Sequence, residues 1–219
     1  MRVSNMFLVL LAMVAIFCSC SIESPTQISD GGGIETVVSG TVISSDGNVT
    51  PYTQVILFTD DFNPVDEIIP DSMTDTTDSQ GKYHFIISDS LTYNIAAVQL
   101  SERTRLLHFN IKASRDTLFF TDTLKEPGII NIELPEEADT LLGYVFVQGT
   151  NIYRKLAGNI ITGNKVIIDS VPATIISDIC YYEKDEPDSL QLLADTLTVL
   201  SGDTSYTQIF GIIGVYNRN

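Results

Sequence analysis

The amino-acid sequence predicts an all-β protein, built as two small antiparallel β-sandwiches behind a leader and a polar tether. Three observations predict it. From Val37 onward, short β-branched and aromatic runs alternate with turn-forming pieces. No window sustains helical spacing over three turns. About 200 residues remain after the leader, enough for one large or two small domains.

Residues 1–19 read as a secretory leader. Arg2 is the only charge before Glu23, and Met6 to Phe17 is an unbroken apolar run. That run is about a dozen residues, short of the roughly 20 that a spanning helix needs. Ser19 followed by Cys20 resembles the lipobox of bacterial lipoproteins, with Phe17 where that family prefers Leu. The resemblance implies a diacylglyceryl group on the Cys20 sulfur, cleavage between Ser19 and Cys20, and acylation of the new amine. One acyl chain binds membranes only marginally, at about 0.8 kcal/mol per buried methylene, so stable anchoring takes two or three. The implied location is the cell envelope. Ser21 rather than Asp after the cysteine favours the outer membrane in lipoproteins of the enteric type, facing the periplasm or the cell surface. Ordinary secretion and an uncleaved N-terminal anchor are the alternatives.

Residues 20–35 are polar and carry Gly31-Gly32-Gly33, which suits a flexible tether. Its mean reach is roughly 20–25 Å, enough to lift a folded part off the headgroups.

The first sandwich is expected over residues 36–134. Its strands are read at Val37–Ile43, Gln54–Thr59, Lys82–Ser88, Tyr93–Leu100, Leu106–Ala113, Thr117–Thr121 and Ile129–Leu134. Asp46-Gly47 supplies the positive φ of a tight turn. Ser39-Gly40-Thr41-Val42, Asp46-Gly47-Asn48 with Pro51, Val55-Ile56-Leu57, Thr77 to Phe85 and Tyr93-Asn94-Ile95 together resemble the carboxypeptidase regulatory-like domain. That resemblance implies a prealbumin-like (Ig-like) β-sandwich. Thr53-Gln54 replaces the family's Gly-Ala, and the acidic insertion from Asp60 to Thr76 is longer than the family pattern.

Pro135 to Asp139 reads as a polar joint, and residues 140–210 as a second, divergent sandwich. Its Val171-Pro172-Ala173-Thr174 is similar to a turn found in envelope lipoproteins with such modules. Asp116-Thr117-Leu118 and Asp195-Thr196-Leu197 form an internal echo, each followed by an Asp turn, at Asp122 and Asp203. One larger sandwich with shared sheets is the alternative. Residues 211–219 read as a last strand or a loose tail.

Charge narrows the function. The full chain carries −16; loss of residues 1–19 removes Arg2 and no acid, leaving 11 basic against 28 acidic residues, or −17. Such a chain argues against nucleic acid, which demands a basic face. Cys180 would be the lone unmodified cysteine, which excludes an internal disulfide and suits a buried thiol. His84 and His108 lie within expected strands, and neither an H-E-x-x-H nor an H-x-H spacing occurs. There is no G-x-S-x-G elbow and no phosphate loop. The acids between Asp60 and Asp78 could ligate calcium, but they lack EF-hand spacing and equally suit a solvated loop that guards edge strands. Tyr52 and Phe62, near turns, are the aromatics expected to face a ligand.

These features point to a non-catalytic envelope lipoprotein presenting β-sandwich modules for binding or structural spacing, with no cofactor and no metal. Its expected partners are the membrane, through the lipid anchor, and an envelope protein or polysaccharide. A carbohydrate-binding accessory lipoprotein of a polysaccharide-processing system is the alternative, and a carboxylate-based hydrolase a more distant one.

Overall fold

The computed structural model describes residues 35–88, 91–136, 138–176, 178–183, 191–193 and 196–208. Ser19, Cys20, the tether before residue 35 and the tail 211–219 lie outside them. Among the described residues the regular elements are strands and one 3-10 turn, Asp71–Met73. No helix there is long and apolar enough to cross a membrane.

The first half holds β1 (Glu35–Ile43), β2 (Gln54–Thr59), β3 (Thr74–Thr76), β4 (Lys82–Ser88), β5 (Thr92–Gln99), β6 (Thr104–Lys112) and β7 (Leu118–Thr123). One sheet has the order β4-β1-β7, and the facing sheet β3-β2-β5-β6. β1 and β4 alternate buried and exposed residues, the period-2 pattern of a strand with one wet face. Val38, Val42, Tyr83, Phe85 and Ile87 thereby meet Val55, Leu57, Ile95 and Leu106 across the first core. The turns are those the sequence announces. Gly47 and Gly81 take positive φ, and Asp78 Oδ1 accepts the Gln80 and Lys82 amides at 2.7 and 2.9 Å. The short strand β3 was not legible in the sequence. It sits inside the acidic insertion and pairs with β2.

β2 and β5 do not alternate; their interiors are buried on both faces. Val55, Leu57, Ile95 and Ala97 point into the first core, while Ile56, Phe58 and Ala96 point the other way into a second. The second core is completed by Ile130, Ile132, Val145, Val147, Val166, Ile168, Ile179 and Tyr181. One sheet therefore serves two cores.

The second half holds β8 (Gly128–Glu133), β9 (Gly143–Val147), β10 (Tyr153–Lys155), β11 (Ile160–Ile161), β12 (Lys165–Val171), β13 (Ile175–Ile176), β14 (Ile179–Glu183), β15 (Gln191–Leu193), β16 (Leu197–Thr198) and β17 (Thr204–Gln208). Its main sheets have the orders β11-β12-β8-β17 and β10-β9-β14-β15. This repeats the order of the first half, with β11, β13 and β16 added. β8 stands where β1 does, β12 where β4 does, β17 where β7 does, and β10-β9-β14-β15 where β3-β2-β5-β6 does. The pairing directions match as well. β1 with β7 and β8 with β17 are parallel, and the other equivalent pairs are antiparallel. The sheets holding β1 and β8 are thus mixed, while β3-β2-β5-β6 and β10-β9-β14-β15 are antiparallel throughout.

Two expectations change. The run Ile129–Leu134 does not close the first sandwich; as β8 it opens the second half. Its inward side chains, Ile130 and Ile132, are fully buried in the second core, and it pairs with β12 and β17. Asp122 is not a turn residue but lies inside β7, while Asp203 does precede β17. The Asp-Thr-Leu echo opens β7 in one copy and β16 in the other, so it does not mark equivalent strands.

The halves are clasped at Asn94, which is 2% exposed. β6 carries one extra residue opposite β5, between the Tyr93–Ile111 and Ile95–His108 pairs, and Asn110 turns to φ 62° there. Asn94 Oδ1 accepts the Asn110 amide at 3.1 Å, and Asn94 Nδ2 donates to the Gly149 carbonyl at 3.0 Å. The Gly149 amide donates to the Phe62 carbonyl at 3.0 Å. Gly149 has φ 67°, and a Cβ there would stand 2.1 Å from Asn94 Nδ2. Asn94→Ala removes the partner of the exposed Asn110 amide and strands the buried Gly149 carbonyl, at about 1–3 kcal/mol for the buried group left unpaired. Thermal and denaturant unfolding should show a loss in that range or above, with Gly149→Ala at least as damaging.

Candidate binding cleft

Two edge strands of the first half, β6 and β7, come together beside the second half. Arg105 from β6, Thr121–Thr123 from β7, Lys125 from the β7–β8 connection and Ala173–Thr174 from the β12–β13 turn line a cleft of about 250 Å³. Ligand sites favour such junctions between packed units. A backbone bridge holds two of the lining residues in place. The Arg105 amide donates to the Lys125 carbonyl at 2.8 Å, and the Lys125 amide donates to the Arg105 carbonyl at 3.0 Å. Arg105 is half-buried, and Lys125 is exposed.

Asp122 enters because β7 alternates. Leu118, Phe120 and Asp122 share one face, and Phe119, 79% exposed, lies on the other. Asp122 Oδ1 lies 3.7 Å from His108 Nδ1, and the His108 ring meets Phe120 edge-on at 4.6 Å. Asp122 Oδ2 and the Tyr83 hydroxyl are buried with no hydrogen-bond partner among the described residues. Burial first, and then the Asp122 charge, push the Tyr83 pKa well above its ordinary value. Tyr83 reaches this position by lying across β1 at Gly40, where a Cβ would stand 2.2 Å from the ring. Burial lowers the Arg105 pKa, and the Asp169 charge works against that. The cleft thus holds two cations, three threonine hydroxyls and one carboxylate. Leu106, Leu107 and Ala173 line it beside them.

The residues singled out from sequence fare differently. Cys20 and Ser19 fall outside the described residues. Tyr52 is 77% exposed and adopts φ 60° in the turn before β2. Phe62 does not face solvent. It is 6% exposed, stacks against Phe58 at 5.2 Å and belongs to the second core. The reason is local: the Phe62 amide closes a turn on the Thr59 carbonyl, and its own carbonyl receives the Gly149 amide. His84 is exposed on the outer sheet face beside Asp75, at 3.7 Å. Cys180 is fully buried, its thiol donates to Gln148 Oε1 at 3.3 Å, and burial raises its pKa.

The start of the acidic insertion is folded onto β14 rather than standing off in solvent. Asn63 Oδ1 accepts the Val65 amide at 2.9 Å, Val65 packs on Phe146, Cys180 and Tyr182, and the Tyr182 hydroxyl bonds to Asp66. Among the described residues no group of three or more His, Cys, Asp or Glu is arranged to hold a metal ion. The sequence missed the cleft because its cations lie far from Thr174 in the chain and carry no motif.

No protein-family model matches the chain, and no curated protein matches it. Three solved structures show distant likeness. The Bacillus anthracis TIE protein is 11% identical with a TM-score of 0.32, over 80% of this chain and 34% of its own. The chain thus spans about a third of that protein's length. The shaft pilin SpaA of Lactobacillus rhamnosus GG is 10% identical with a TM-score of 0.32, over 82% of this chain and 100% of its own. The minor pilin of Streptococcus agalactiae is 11% identical with a TM-score of 0.32, over 84% of this chain and 100% of its own.

The two aromatics should respond in opposite ways. Phe62→Ala should cost about 3–5 kcal/mol in denaturant unfolding. Tyr52→Gly relieves a left-handed aromatic and should raise stability by up to about 1 kcal/mol.

Acid should act through Asp78 and Asp139. Their pKa values are held below the ordinary 3.8 by backbone amides, from Lys82 then Gln80 and from Leu142 then Leu141. Depressed carboxylates contribute stability that is fully present above 3.8 and lost as pH falls below it toward the folded values. The Asp78→Ala, Asp139→Ala double variant should start less stable and show a shallower acid limb in pH-dependent thermal melts.

Proposed function

We propose that the chain is a non-catalytic lipoprotein of the cell envelope, anchored through lipid on Cys20 and presenting its paired β-sandwiches for binding. The observation that carries this reading is how its carboxylates are used. Asp75 accepts the His84 amide, Asp78 the Gln80 and Lys82 amides, and Asp139 the Leu141 and Leu142 amides. These three carboxylates serve the fold, fixed into strands and turns. The cleft, by contrast, gathers charge and hydroxyls suited to holding a ligand.

The apolar run ending at Ser19-Cys20 supports the anchor, and Ser21 after the cysteine supports the outer membrane. A net charge of −17 on the mature chain repels anionic headgroups, so the lipid rather than the protein surface must hold the membrane. Cells fed a palmitate analogue should label the wild-type protein and not Cys20→Ala, with the variant lost from the membrane fraction. An unlabelled wild type would overturn the anchoring.

A further inference from the structure

The reading as a binding module leaves the ligand open, and the inference that follows rests on that reading. Arg105 and Lys125 face each other across their two-hydrogen-bond bridge. Residues opposed in an antiparallel pair project to the same side, and like charges placed so repel. Both line the cleft. Among the described residues neither side chain has a hydrogen bond or a close ion pair, and the Asp169 charge only partly offsets the burial of Arg105. Two cations elsewhere do pair with acids: Arg154 reaches Asp169 at 2.9 Å, and Lys165 reaches Glu133 at 3.6 Å. A half-buried guanidinium without an acceptor is costly, and its planar fork fits a carboxylate. An anion in the cleft removes both penalties.

The remaining lining narrows the anion. Asp122 would repel a bare one, yet its side chain is 20% exposed, and a carboxylate so placed can accept from a ligand hydroxyl. The threonine hydroxyls can donate or accept. A ligand that satisfies all of these carries one carboxylate and several hydroxyls. The volume, about 250 Å³, lies below the roughly 300–1,000 Å³ of sites for drug-sized ligands and suits a single sugar ring. The geometry points to a uronate residue of an acidic polysaccharide, with its carboxylate on Arg105 and Lys125 and a ring hydroxyl donating to Asp122.

The test is calorimetric titration of the intact lipoprotein in detergent with trigalacturonate, its methyl ester, acetate and a poly-glutamate peptide. Trigalacturonate should bind, more weakly as salt rises, and its uncharged methyl ester should bind about tenfold or more weaker. Lys125→Met, at an exposed position, should lower the affinity by a similar factor without lowering the melting temperature. Arg105→Met should lower it further, and Asp122→Asn should change the preference among uronate stereoisomers. The inference is overturned if the ester binds as well as the acid, if Lys125→Met binds as wild type does, or if acetate or the peptide binds as tightly. Absence of any uronate binding also overturns it. With palmitate labelling intact, that result would leave the anchored module standing, so the two failures are distinguishable.

Discussion

The structure depends on one sheet, β3-β2-β5-β6, having no wet face along its central strands. Val55 and Leu57 bury toward one core, and Ile56 and Phe58 toward the other. At about 25 cal/mol per Å² of apolar surface, a strand buried on both sides contributes to two cores at once. The cost is polar. Backbone and side-chain groups inside such a sheet cannot turn to water, so Asn94 must satisfy the bulge at Asn110 and the carbonyl of Gly149 together. The same logic explains the buried threonine knot beside β2. The Thr77 hydroxyl donates to the Thr50 carbonyl at 2.7 Å and accepts the Thr53 amide at 2.9 Å. Thr53, which replaces the small residue of the regulatory-like pattern, is thereby held with no exposure.

Much of this could be read in the residues themselves. The alternation of β1 and β4 announces a half-wet sheet, and β2 and β4 occupy the bounds expected for them. The unbroken runs Val55–Phe58 and Ile95–Val98 also carried the information that both faces are covered, because strands buried twice lose their alternation. What covers them could not be read, since Ile130 and Val145 belong to a segment that looked like the end of one module and the start of another. Phe62 was misplaced for a related reason: loop aromatics are usually wet, but this one is drawn inward by the Gly149 amide. The parallel closures β1–β7 and β8–β17 depend on pairings across a whole module, which local periodicity does not encode. The cleft is a meeting of residues distant in sequence, and the opposition of Arg105 and Lys125 across one bridge is seen only in space.

Duplicated topology with divergent use is the pattern that emerges. Both halves place their last strand parallel to their first, yet only β7 turns a carboxylate inward, and β17 shows intermediate or exposed side chains throughout. The first copy supplies the sheet that both cores share and the two edges that form the cleft. The second supplies the turn at Ala173–Thr174 that closes it.

The parallel closure also has a mechanical meaning. When the first and last strands of a module run side by side in the same direction, the chain enters at one end and leaves at the other. Tension between the start of β1 and the end of β7 then acts along six registered residue pairs simultaneously, and β8 with β17 offers five more. Such a lattice must slide as a block instead of peeling open rung by rung. A pull between the two ends of a module would thus load the fold in its stiffest direction.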